Sequence, residues 1–194
     1  MAMTNDQGFL TIPQWAVCMG DAEYSIASRR VRKLENDGYV HRIRMPLLRV
    51  SLIVLTQQGC DFIDDSLAPL SRVRISQFEH DATLTDLAFY LIRRFGPGCK
   101  WISERRLRQM HPGAEHIADG ILRRPDGDVQ IELELTPKSI PRLEAILAQH
   151  EANLTVKETW YVTDNEAVAM LVRRLAKGYS QIKVVKFSRW SSRE

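Results

Sequence analysis

From Val129 to Thr136 the chain alternates without a break. Val129, Ile131, Leu133 and Leu135 are apolar, and Gln130, Glu132, Glu134 and Thr136 are polar. A two-residue period belongs to a β-strand, whose successive side chains leave opposite faces of the sheet. The turn sequence PDGD lies just before this strand, so the segment HIADGIL (116–122) is its antiparallel hairpin partner. Downstream, PRLEAILAQHEAN and EAVAMLVRRLAKG read as helices, and KETWYVTD and QIKVVKF read as strands. Strands alternating with helices of this length predict an α/β domain with a partly parallel sheet.

The first third has a different rhythm. Pro13 opens a short helix that Gly20 stops. Ser25 is placed as the N-cap of a second helix that runs to about Asn36. On this helix Ala27, Val31 and Leu34 share one face, and Ser28, Arg29, Arg32, Lys33 and Asn36 share the opposite one. A strand, a turn, a second strand and a closing helix follow. Helix, basic helix, strand, turn, strand is the winged helix-turn-helix order, in which the second helix enters the DNA major groove. Arginine suits guanine edges and lysine suits phosphates. Ser28, Arg29, Arg32 and Lys33 are therefore candidate DNA contacts, with Arg30 beside them toward the phosphates and Arg42, Arg44 and Arg49 around the wing. A solvated basic face is the alternative. Seven Lys/Arg against Glu35 and Asp37 between residues 29 and 49 weigh toward DNA. The expected organisation is a winged-helix domain over 1–68, a linker over 69–78 and an α/β domain over 79–194.

Composition narrows the setting. The 194 residues carry a net charge of +3, too small by itself to imply nucleic acid. Cys18, Cys60 and Cys99 form no CxxC pair, so neither a zinc motif nor a disulfide framework is expected. With no signal pattern and no apolar run of membrane-spanning length, a cytoplasmic protein is expected. The segment from Arg173 to Arg193 holds seven Lys/Arg and no acid, a further DNA-facing surface or a solvated edge.

The hairpin register brings Asp119 near Glu132, and Glu134 shares the face of Glu132. Clustered carboxylates repel unless a cation sits among them. Asp119, Glu132 and Glu134 are thus candidate ligands for Mg2+ or Mn2+. Lys138 follows on the same parity and is placed to stabilise charge on a phosphate. The competing reading is an edge strand whose acids face water or pair with Arg123, Arg124 or Arg142. Among the histidines, His111 and His116 flank the loop before Asp119 as possible ligands or bases, with a surface role favoured. His41 and His150 lack metal-site spacing.

The blocks SIASRRVRKLENDGYVHR, VSLIVLTQQG, HDATLTDLAFYL, WISERRLR, HIADGIL and IELELTPKS resemble the replication-relaxation family of plasmids and integrative elements. The resemblance covers roughly residues 9 to 187 and implies a winged helix followed by a domain similar to the PD-(D/E)XK nuclease fold. Carried onto this chain, Glu104 is the early helical acid, Asp119 the strand aspartate and Glu132 the start of the Glu-x-Lys element. Ala118 stands where that pattern has proline. Glu134 stands where it has lysine, and Lys138 is the shifted substitute. Two functions follow: a DNA-binding protein of a plasmid or mobile element, partnered by duplex DNA, relaxosome or replication proteins and a second copy of itself, or a magnesium-dependent DNA endonuclease using Glu104, Asp119, Glu132 and Lys138.

Overall fold

The computed structural model describes residues 1–21, 23–114 and 116–187. It is a mixed α/β fold with two sheets, and the chain divides into two compact units, Met1–Asp86 and a second beginning at Leu87. The end of the basic segment, from residue 188 onward, lies outside the described residues. No helix is long and apolar enough to cross a membrane among the described residues.

The first unit opens with α1 (Ala2–Gln7) and β1 (Leu10–Thr11). In α2 (Ile12–Met19), Thr11 and Gln14 cap each other's orphan backbone groups, and Gly20 closes the helix at φ 67. Gln14 also donates from Nε2 to the Ala82 carbonyl and to Asp86 Oδ1, both at 2.8 Å, so one buried amide ties two helices together. In α3 (Tyr24–Asn36), Ala27 and Val31 are fully buried, as its apolar stripe requires. Its N-cap is Glu23 rather than Ser25, whose hydroxyl instead donates to Glu23 Oε2 at 3.0 Å.

Strands β2 (Val40–Met45) and β3 (Val50–Leu55) pair antiparallel from Val40↔Leu55 to Met45↔Val50. The sheet order is β1-β3-β2. Helix α4 (Gln57–Phe62) follows at once, and Gly59 passes so close to the Tyr39 carbonyl that a Cβ there would lie 2.1 Å from it. Phe9, Leu52, Val54, Phe78 and Ala82 form a core cluster. Phe78 and Ala82 come from the first turns of α5 (Phe78–Phe95), so the start of that long helix packs with the first unit.

The second unit contains β4 (Lys100–Ser103), α6 (Glu104–Met110), β5 (Gly120–Arg123), β6 (Val129–Leu133), α7 (Ile140–Glu151), β7 (Glu158–Thr163), α8 (Glu166–Leu175) and β8 (Ile182–Lys186). The sheet order is β4-β5-β6-β7-β8. The β4, β5 and β6 pairs are antiparallel, and the β6, β7 and β8 pairs are parallel. Helices α7 and α8 provide the crossovers that parallel pairing needs. The ladder forces Gly120 against the Trp101 ring, where a Cβ would meet ring carbon at 2.2 Å.

Strand β6 is the middle strand of the sheet, which rules out the edge-strand reading of its acids. Gln130, Glu132 and Glu134 are buried along with Val129, Ile131 and Leu133. The polar face is covered because α7 packs on this side of the sheet. Leu143 and Leu147 join Tyr161, Val168 and Val172 in one core cluster.

Candidate metal centre

Four consequences of the backbone meet at Glu132. The parallel register pairs Glu132 with Tyr161, so period two puts both side chains on the α7 face. On α7, Leu143, Leu147 and His150 follow each other at i, i+4 and i+7, so His150 occupies a core position of the helix. The segment leading into β5 brings His116 to the same place. Gln130, one step along β6, completes the floor.

The three potential ligand atoms form a near-regular triangle. His116 Nε2 lies 3.2 Å from Glu132 Oε1 and 3.2 Å from His150 Nε2, and His150 Nε2 lies 3.6 Å from Glu132 Oε1. Among the described residues this is the cluster of three His, Cys, Asp or Glu side chains able to hold a metal ion. Glu132 and His150 are buried, and His116, with 33% of its side chain exposed, stands at the boundary with solvent.

Neighbours hold Glu132 and His150. Gln130 Nε2 donates to Glu132 Oε1 at 2.9 Å, and Asn153 Nδ2 donates to Gln130 Oε1 at 3.3 Å. The Tyr161 hydroxyl lies 2.8 Å from His150 Nδ1. Burial raises the pKa of the Glu132 carboxyl above its ordinary range, and the nearby Asp119 charge adds to this. The hydrogen bond to Glu132 raises the His116 pKa. His150 goes the other way: burial first, then the His116 charge, bring it down to about 4. His150 is therefore neutral at pH 7, as a metal-binding imidazole must be.

The residues singled out in the sequence fall around this triangle. Of Asp119, Glu132 and Glu134, only Glu132 belongs to it. Asp119, just ahead of β5, accepts a hydrogen bond from the Leu133 N–H at 2.7 Å and acts on His116, His150 and Glu132 through its charge. Glu134 is bound to the Lys138 ammonium. Lys138 lies close enough to lower the proton affinity of both histidines. Glu104 opens α6 and is bonded by Arg108 Nε at 2.8 Å on the helix surface. Of the two histidines in the triangle, His116 is the one the sequence offered as a possible ligand or base beside Asp119, and His150 is the one spacing did not reveal, since 34 residues and two strands separate them.

The basic face of the first unit is in part already neutralised. Arg30 pairs with Asp21 at 2.7 Å, and Arg42 pairs with Glu35 at 2.5 Å. Ser28 is half-buried. Arg29, Arg32, Lys33, Arg44 and Arg49 are exposed. Arg49 closes the turn after Met45 in the left-handed region, at φ 54.

Comparison of the chain with known protein families, with characterised proteins and with solved structures finds no match.

Proposed function

We propose that this chain is a divalent-metal-dependent phosphodiesterase acting on DNA, of the replication-relaxation type, with a winged-helix first unit and a PD-(D/E)XK-like second unit. The observation that carries the reading is the convergence of His116, Glu132 and His150 in the interior of the second unit. Two imidazoles and a carboxylate, held in place by Gln130 and Tyr161, are a donor set suited to a divalent ion. An ion bound there would polarise a phosphodiester oxygen and acidify a water.

The chain's own groups have matching roles. Lys138 supplies positive charge near the cluster for a phosphate. Asp119 fixes the backbone at Leu133, beside Glu132, and so positions that carboxylate. The choice of DNA is supported by the first unit. Its helix, strand, helix, helix, strand, strand sequence and its β1-β3-β2 order suit a winged helix. Arg29, Arg32 and Lys33 on α3, with Arg44 and Arg49 beyond it, form its exposed cationic groups.

The test is incubation of supercoiled plasmid with the full chain and zinc, manganese or magnesium. Nicked or linear product that vanishes with a chelator and with His150→Ala supports the reading. Product that persists in His150→Ala refutes the site. No product from any duplex, together with salt-sensitive DNA binding, would leave a binding protein of a plasmid or mobile element, the reading that the exposed arginines of α3 favour.

A further inference from the structure

We infer that the centre takes one zinc-class ion in tetrahedral coordination, with a fourth position open, and that Tyr161 holds His150 in the tautomer that binds it. This rests on the metal-dependent reading above and adds the identity of the ion and the residue that prepares the site.

The triangle itself discriminates between ions. Its edges are 3.2, 3.2 and 3.6 Å. An ion about 2.0–2.1 Å from all three atoms, the usual zinc distance, would see angles of about 100–128° between them. Those angles surround the tetrahedral value. Octahedral magnesium at about 2.1 Å needs neighbouring ligands only about 3.0 Å apart and prefers oxygen throughout. Two of the three donors here are imidazole nitrogens, which suit zinc, copper, iron and nickel instead. The carboxylates that might have completed an all-oxygen site are engaged elsewhere, Asp119 with the Leu133 N–H and Glu134 with Lys138.

Both histidines present Nε2 to the triangle, so each must carry its proton on Nδ1 when an ion is bound. For His150 the atom facing Nδ1 is the Tyr161 oxygen, at 2.8 Å. If the phenol donated to Nδ1, the proton of neutral His150 would sit on Nε2 and block the ion. If His150 donates to the phenol oxygen, the Nε2 lone pair is free. Tyr161 can accept because a phenol oxygen keeps its lone pairs for the Nδ1 proton when its own O–H is turned away from the ring. The strand register that sets Tyr161 opposite Glu132 therefore delivers one ligand and the orienting group of another from adjacent strands.

The experiment is titration of the chelator-stripped full chain with Co2+, Zn2+, Mg2+ and Mn2+, read by cobalt absorption and calorimetry. One cobalt per chain with the intense visible bands of a tetrahedral ion, displaced by zinc and not by equal magnesium, is expected. Tyr161→Phe, which keeps the ring in its buried place, should weaken zinc binding by roughly 10–100-fold. It should also shift the cobalt bands. The weak spectrum of octahedral cobalt, or displacement of cobalt by equal magnesium, overturns the inference and leaves metal dependence standing. Unchanged affinity in Tyr161→Phe overturns the role of the tyrosine. Failure of all four ions to bind overturns both the inference and the reading beneath it.

Discussion

Replacing Glu132 by glutamine should make the metal-free protein more stable and the metal-loaded protein less so. Glu132 is a buried carboxylate, pushed toward protonation by burial and by the nearby Asp119 charge. Without an ion its ionised form is a cost to the fold. Glutamine keeps the shape and still accepts from Gln130 through its carbonyl oxygen, so relieving the charge should add roughly 1 kcal/mol, the scale of a favourable single substitution. For a unit of about 100 residues that is about 4–8 °C in Tm. In the wild type, an ion at about 100 times its Kd adds roughly 2.7 kcal/mol, or about 10–20 °C on the same scale. The variant lacks the anionic ligand and should gain little. Melting curves of both proteins in chelator and in excess zinc should therefore cross: variant above wild type without metal, wild type above variant with it. A variant that melts lower in chelator yet responds fully to zinc would refute the reasoning, because Glu132 would then be a structural acid.

Other outcomes follow from particular neighbours. The affinity of the site for a divalent ion should fall as pH drops through the raised His116 pKa, above 6.5, and level off above it, because a protonated His116 must release its proton to bind; calorimetry in buffers of different ionisation heat would count that proton. Leu147→Ala, at a fully buried position under the sheet, should cost roughly 2–5 kcal/mol and lower the urea midpoint of the second unit. Arg29→Ala with Arg32→Ala should lower duplex affinity and reduce the salt slope by about 0.9 for each phosphate no longer neutralised. Arg30→Ala and Arg42→Ala should do less in the same anisotropy assay, since Asp21 and Glu35 already neutralise those arginines.

What the sequence disclosed was governed by period. The alternation through Glu132 identified β6 because a strand is the only regular element with that repeat, and Ala27 and Val31 marked the buried face of α3 for the equivalent helical reason. The same alternation could not say what covered the polar face. Its burial comes from α7, joined to β6 by a crossover whose packing no local pattern records. His150, passed over for lack of metal-site spacing, did leave a trace of another kind: it stands seven residues after Leu143 and three after Leu147, a polar side chain in a core stripe. Taken as a departure from that stripe, it marks a buried imidazole that needs partners. His116 stood out only through its place in the loop before Asp119, with a surface role favoured, because it lies in irregular chain ahead of β5 and only the tertiary fold brings it within 3.2 Å of His150. An all-carboxylate site follows from counting acids on one face, whereas Asp119 and Glu134 serve a backbone N–H and a lysine.

Crystals of the chain grown with zinc, with anomalous diffraction collected on both sides of the zinc edge, address the site directly. One anomalous peak about 2.0–2.2 Å from His116 Nε2, His150 Nε2 and Glu132 Oε1 is the expected result. A peak among Asp119, Glu132 and Glu134 with both imidazoles turned away, or no peak in the second unit at all, would contradict it.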